Sequence, residues 1–153
     1  MSPKKIFWVD EDRQSAEGAK ILLQAEGYEL VHYTSAIASF YDLCDLDSTS
    51  TAVVVIDVML LSGVSSESSE LNSIFSAENT KDFRVTGVIL LETLTEKNPA
   101  VFPAKAVLYS RATDHTLRAE ISHRAKKLSA RLFWKDGAQD PIALAQKVAG
   151  FCN

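Results

Sequence analysis

The chain has 153 residues, 46% of them apolar and 24% charged, with a formal net charge of -4. That balance suits one folded domain, residues 1–153, and argues against disorder over most of the chain. It also removes the electrostatic case for nucleic-acid binding, and no apolar run approaches the length of a membrane span. Cys44 and Cys152 lie far apart with no metal-ligand spacing, and His32, His115 and His123 form no ligand motif. Met1 to Lys5 lead directly into a strand, which leaves no room for a signal peptide. These features predict a cytoplasmic protein with reduced, structural cysteines.

Lys5 to Val9 reads as the first strand and ends in three acids, Asp10, Glu11 and Asp12. A helix follows from about Arg13, with Ala16, Ala19, Ile21, Leu22, Leu23 and Ala25 available for its buried face and Gly27 as its stop. Tyr28 to Tyr33 alternates like a half-buried strand. Thr34 or Ser35 can cap a second helix to about Leu46, whose apolar positions are Ile37, Phe40, Tyr41, Leu43 and Cys44.

Thr51 to Leu61 is the stretch around which the chain is organised, and it holds the third strand. Ala52, Val53, Val54, Val55 and Ile56 form a short apolar run, mostly β-branched, that suits burial on both faces of a parallel sheet. The run ends in one acid, Asp57, placed where open α/β sheets carry their sites. Ser62 to Thr80 is serine-rich without a clear period; it reads as an inserted loop, extending to about residue 84, that is either a mobile surface segment or a lid beside Asp57.

A helical pattern resumes around Arg84, with Val85, Val88, Ile89, Leu91, Leu94 and Thr95, and ends at Asn98-Pro99. Lys105 to Tyr109 is the fourth strand, ending at Ser110. Thr113 or Asp114 caps a helix carrying Leu117, Ala119, Ile121 and Leu128. Arg131 to Trp134 is the fifth strand, ending at Lys135. Asp140-Pro141 opens the last helix, with Ile142, Leu144, Ala145, Val148 and Phe151 on its apolar face. Five strands alternating with five helices predict a doubly wound parallel α/β sheet with helices on both faces.

In strand order 2-1-3-4-5, the carboxyl ends of strands one, three, four and five cluster. Asp10, Glu11, Asp57, Ser110 and Lys135 would then share one pocket. Three carboxylates repel one another unless a hard cation compensates, and Mg²⁺ binds through one or two carboxylates while keeping several waters. Asp57 is then a plausible nucleophile toward phosphorus. Phosphoryl transfer needs its equatorial oxygens neutralised, which suits the Lys135 ammonium and the Ser110 hydroxyl. Each residue also has a plainer role open to it: a solvated helix start for the acids, a cap for Ser110, a surface lysine for Lys135.

These residues, in this order at strand ends, resemble the receiver domain of bacterial two-component response regulators, the CheY-like family. The segments that carry the resemblance are Val9-Asp10-Glu11-Asp12, Val55-Ile56-Asp57, Val107-Leu108-Tyr109-Ser110 and Phe133-Trp134-Lys135. Thr86 to Glu92 also resembles the start of the family's third helix. The resemblance implies a flavodoxin-like (βα)5 fold, with Asp57 as phosphoacceptor and Mg²⁺ held by Asp10, Glu11, Asp57 and the carbonyl of Met59. It makes Ser110 the switch hydroxyl and Lys135 the partner of Asp57 or its phosphate. It implies a phosphoryl donor, a sensor histidine kinase or a histidine phosphotransfer protein, and output through contact with a downstream protein or a homodimer, rather than a classical enzyme activity.

The sequence departs from the family pattern at several positions. Glu11 stands where a second Asp is usual, with Asp12 as an alternative ligand. Leu61 and Asp136 replace prolines, Leu132 replaces the aromatic that moves with the switch hydroxyl, and Arg111 replaces a small residue and can cover the pocket. These departures keep open a second reading, a pseudo-receiver that is not phosphorylated and serves as a protein-interaction module. A phosphatase-like enzyme is disfavoured by Met59 where an acid would be needed, and a nucleotide binder by the lack of a glycine-rich loop.

Overall fold

The computed structural model describes residues 3–135 and 141–152, without the side chains of residues 141 and 142. The Asp57 strand, β3 (Thr51–Asp57), lies at the centre of a five-stranded sheet. β1 (Lys5–Val9) and β2 (Glu29–Tyr33) lie on one side of it, and β4 (Ala106–Ser110) and β5 (Arg131–Trp134) on the other. The order is β2-β1-β3-β4-β5, and every pairing is parallel. The alternation of elements predicts the parallel, doubly wound sheet, and the strand order is the one that the family resemblance implies.

Both faces of β3 are covered, which its β-branched run requires. Val54 and Ile56 pack in one apolar cluster with α2 (Ala36–Cys44), α4 (Thr86–Lys97) and α5 (His115–Leu128). Val53 and Val55 pack in a second with α1 (Arg13–Ala25) and α6 (Pro141–Phe151). The parallel register sets Asp57 beside Tyr109 and Ser110 beside Trp134, so the strand ends align at one edge of the sheet.

The caps follow the chemistry of the sequence. Asp12 caps α1, accepting from the backbone N–H of Gln14 at 3.0 Å and from the Ser15 hydroxyl at 2.8 Å. Ser35, rather than Thr34, caps α2, and Asp114, rather than Thr113, caps α5. Gly27 follows α1 with φ +91°, a conformation open to glycine without a Cβ penalty. The Asp140 cap predicted for α6 lies outside the described residues.

Two details differ from the sequence reading of the helices. Ile21 is 71% exposed and Ala25 is exposed, because α1 turns Ala16, Ala19 and Leu23 inward and these two fall on the opposite side of the cylinder. Tyr41 is likewise exposed, and α2 ends at Cys44 rather than Leu46. The buried amide of Asn98 closes that end of the fold, donating to the carbonyls of Leu43 and Leu46 at 3.2 Å each.

The serine-rich segment also holds a helix that its composition did not announce, α3 (Ser69–Ile74), capped by Ser68. The described residues therefore contain six helices rather than five. Leu71 and Phe75 anchor the segment in the core, with the Phe75 and Phe40 rings 6.3 Å apart. Asn72 and Ser65 exchange two hydrogen bonds of 2.8 Å across the turn before it. Lys81, Asp82 and Phe83 then pass through the left-handed region at φ 53°, 57° and 68° before α4 begins.

Candidate functional site

The edge at the carboxyl ends of β1 and β3 opens into a cleft of about 290 Å³, lined by Asp10, Glu11, Asp12, Asp57, Met59 and Arg111. Asp57 is held at its mouth by two local devices. One is the Met59 backbone N–H, which donates to Asp57 Oδ1 at 3.1 Å. The other is the close approach of α4: Gly87 N–H donates to the Val58 carbonyl at 2.9 Å, and Gly87 lies directly against the Asp57 backbone.

Asp10 is buried, with 1% of its surface exposed. Its Oδ1 accepts from the Asp12 N–H at 2.9 Å, and its Oδ2 accepts from the Tyr109 hydroxyl. His32 Nε2 lies 2.6 Å from the Asp10 carbonyl, fixing the strand end from the β2 side. Glu11 borders the cleft from an exposed position. Asp12 is committed to capping α1, and the Ser15 hydroxyl bonded to its carboxylate holds its pKa below the usual range. Arg111 reaches over the cleft, as its bulk predicts, with its guanidinium 3.8 Å from the Asp12 carboxylate.

Ser110 and Lys135 stand behind the cleft and do not line it. Ser110 is fully buried, its Oγ accepting from the Ala112 N–H at 3.1 Å. Lys135 is 9% exposed, and its backbone N–H donates to the Ser110 carbonyl at 2.7 Å. Among the described residues no ion pair joins Lys135 to Asp57. The ammonium sits instead over the Tyr109 ring, 3.9 Å from its centroid.

The electrostatics follow from two carboxylates and one ammonium in a poorly solvated pocket. Desolvation first, and then the Asp10 charge, push Asp57 well above the ordinary carboxylate range, against the opposing pull of Lys135. Burial draws the Lys135 ammonium down, opposed by Asp57 and Asp10. Burial, followed by Asp57 and Asp10, drives the Tyr109 phenol well up, so it stays a hydrogen-bond donor.

Asp10 and Asp57 thus form a carboxylate pair that carries excess negative charge when both are ionised. A divalent cation is the natural compensation, and Mg²⁺ needs only one or two carboxylates besides water. The donor set fits such an ion, with Asp10 and Asp57 as its carboxylates. Among the described residues no group of three or more His, Cys, Asp or Glu side chains is arranged to hold a metal, and Glu11 borders the same cleft as this pair.

Tyr109 was the residue that sequence reasoning passed over. The sequence places it at the end of the fourth strand, in the segment before Ser110, without assigning it a role. The available signal is a phenol at the strand position beside Ser110, on a strand whose end lies near the acids that follow β1.

No protein-family model matches the chain, and no curated protein does. Solved structures match over nearly its whole length. A CheY-like response regulator receiver domain from Methanospirillum hungatei shares 17% identity, with 99% of this chain and 94% of that chain covered and a TM-score of 0.64. The receiver domain of a Syntrophus aciditrophicus signal transduction histidine kinase shares 16%, covering 97% and 89%, with a TM-score of 0.62. Chemotaxis protein CheY4 of Vibrio cholerae shares 14%, covering 97% and 98%, with a TM-score of 0.61. With its sheet order and these neighbours together, the chain has the fold of the CheY-like response regulator receiver domain.

Proposed function

We propose that this protein is a response regulator receiver that accepts a phosphoryl group on Asp57. The observation that carries this reading is the placement of Asp57. It ends the central strand, lines an open cleft with Asp10, and has a buried hydroxyl and a buried ammonium, Ser110 and Lys135, behind it. An Asp57 carboxylate oxygen attacks the phosphorus of a phosphohistidine. A P–O bond forms, the P–N bond breaks, and the leaving imidazole keeps the electron pair and takes up a proton. The donor is a sensor histidine kinase or a histidine phosphotransfer protein.

Asp10 and Asp57 are the carboxylates that would hold Mg²⁺, with Glu11 and the Met59 carbonyl as further oxygen donors. The bound ion supplies neutralisation of the transferring phosphoryl oxygens. The protein's own groups supply the remainder. Lys135 offsets charge on Asp57, Ser110 offers a hydroxyl that can turn from the Ala112 amide toward a new phosphate, and Arg111 shields the cleft mouth. The added group brings about -1.5 to -2 charges and three acceptor oxygens, enough to bias a bistable surface. Output then passes by contact with a downstream protein or a second copy of the chain. Among the described residues no helix is long and apolar enough to cross a membrane.

One observation favours the second reading, a pseudo-receiver that serves as an interaction module. Lys135 rests on the Tyr109 ring instead of pairing with Asp57. Intact-protein mass after incubation with Mg²⁺ and a small acyl phosphate or a phosphohistidine donor separates the two. A gain of one phosphoryl group, lost with chelator and lost in Asp57→Ala, is the expected result. Persistent modification of Asp57→Ala places the acceptor elsewhere. No modification from either donor, with no Mg²⁺ binding, selects the pseudo-receiver.

A further inference from the structure

Tyr109 holds two of the charged groups that surround Asp57. It is the register partner of Asp57 on β4 and is fully buried. Its ring packs near Trp8, with centroids 6.1 Å apart at an interplanar angle of 47°. Its hydroxyl donates to Asp10 Oδ2, and its ring face seats the Lys135 ammonium at 3.9 Å.

The consequence for Asp10 is specific. Oδ1 already accepts the Asp12 N–H, so the Tyr109 hydroxyl engages the remaining oxygen of the carboxylate. A hydrogen bond to an ionised acceptor is among the stronger ones, and it withdraws negative charge from the atom that would face a cation. Mg²⁺ demands near-ideal octahedral geometry and tolerates little misplacement of its ligands. A carboxylate tied on both oxygens is a poorer ligand than one free to turn toward the ion.

We propose that Tyr109 is a positioning residue that restrains Asp10 through its hydroxyl and Lys135 through its ring, so that a divalent cation must compete with the Tyr109 hydroxyl for Asp10. This rests on the reading of Asp10 and Asp57 as the cation-holding pair. It accounts for the seat of Lys135 apart from Asp57: the aromatic face beside the buried Asp10–Tyr109 bond offers the ammonium a formed site.

The test is a Mg²⁺ titration of the full chain followed by tryptophan fluorescence, with Trp8 as the nearby reporter. Tyr109→Phe keeps the ring, its packing on Trp8 and the Lys135 seat, and deletes only the hydroxyl. The expected result is roughly tenfold tighter Mg²⁺ binding than in the unsubstituted protein, the equivalent of losing one competing hydrogen bond. The same exchange in an Asp10→Asn background leaves the affinity unchanged. Structural damage would weaken binding, so a gain discriminates positioning from packing.

Equal or weaker binding by a folded Tyr109→Phe overturns the proposal while leaving the cation-holding pair intact. Absence of Mg²⁺ binding in every variant overturns that pair and the proposal with it. A measurement on the unsubstituted protein covers the case in which the variant does not fold. The hydroxyl-proton resonance of buried Tyr109 disappears at saturating Mg²⁺ if the ion displaces it, and its persistence overturns the proposal.

Discussion

Gly87→Ala is expected to destabilise the protein, although the same exchange inside an exposed helix would stabilise it. A Cβ at position 87 would lie 2.1 Å from the Asp57 carbonyl oxygen and 2.8 Å from both the Asp57 carbonyl carbon and the Val58 Cα. All three are backbone atoms, two at the last residue of β3 and one at the residue after it, so no flexible side chain can move aside. Helix propensity favours alanine by about 1 kcal/mol. Against this stands an overpacking cost of about 1–3 kcal/mol, set here toward its upper end by the rigid backbone. The Gly87 N–H to Val58 carbonyl bond is strained as α4 retreats, at a further cost of about 1 kcal/mol. The net loss is about 2–3 kcal/mol. At roughly 2–4 °C per kcal/mol for a chain of this size, that lowers Tm by about 4–12 °C. Thermal and urea unfolding followed by circular dichroism measure it directly. A variant as stable as the unsubstituted protein, or more so, would refute the close approach of α4 to Asp57. The same displacement should reduce phosphoryl acceptance, because the Asp57 backbone is the surface that moves.

Two further outcomes are expected. Phe75→Ala should cost about 3–5 kcal/mol, because the ring is 2% exposed and packs near Phe40; a loss below 1 kcal/mol would return the 62–84 segment to the status of a surface loop. Tyr33 donates to Asp42 at 2.7 Å, and burial, with that carboxylate second, raises its phenol pKa above the ordinary value of 10.0. A raised folded value means the contribution is complete below the unfolded pKa and is lost as pH rises through the folded one. Tyr33→Phe should therefore be less stable by under about 1 kcal/mol at neutral pH, with the deficit narrowing above pH 10; a deficit constant across that range in urea unfolding would contradict the assigned shift.

The fold was legible because its determinants are local. Each strand shows as a short apolar or alternating run, and the caps of α2 and α5 narrow to Thr34 or Ser35 and Thr113 or Asp114; right-handed crossovers restrict the topology, and the strand order comes with the family resemblance. Asp10 and Asp57 were legible for the same reason, since an acid that ends a buried strand needs no tertiary knowledge to be placed. The 62–84 segment was less so. Its two anchors, Leu71 and Phe75, are one helical turn apart, which is too short a pattern to stand out among serines. The seat of Lys135 was not legible at all. It depends on a phenol reaching from β4 to the end of β1, with β3 between them, and no spacing along the chain encodes that contact.

The 62–84 segment is held by backbone hydrogen bonds at its two ends. The chain departs from β3 under control, since the carbonyls of Leu61 and Ser62 accept from the N–H groups of Ala36 and Ile37 at 3.0 and 2.9 Å. Those two N–H groups belong to the first turn of α2, where helix donors have no internal partner. It returns under control as well, through the Gly87 N–H on Val58 and the buried Val85. With both ends fixed by backbone bonds, the length between them costs only loop-closure entropy, which grows slowly with added residues. Leu71 and Phe75 offset that cost by burying apolar surface against α2 and the sheet. The excursion is thus pinned at its ends and at Leu71 and Phe75, while the geometry of Asp57 is set by residues that flank it, Met59 and Gly87.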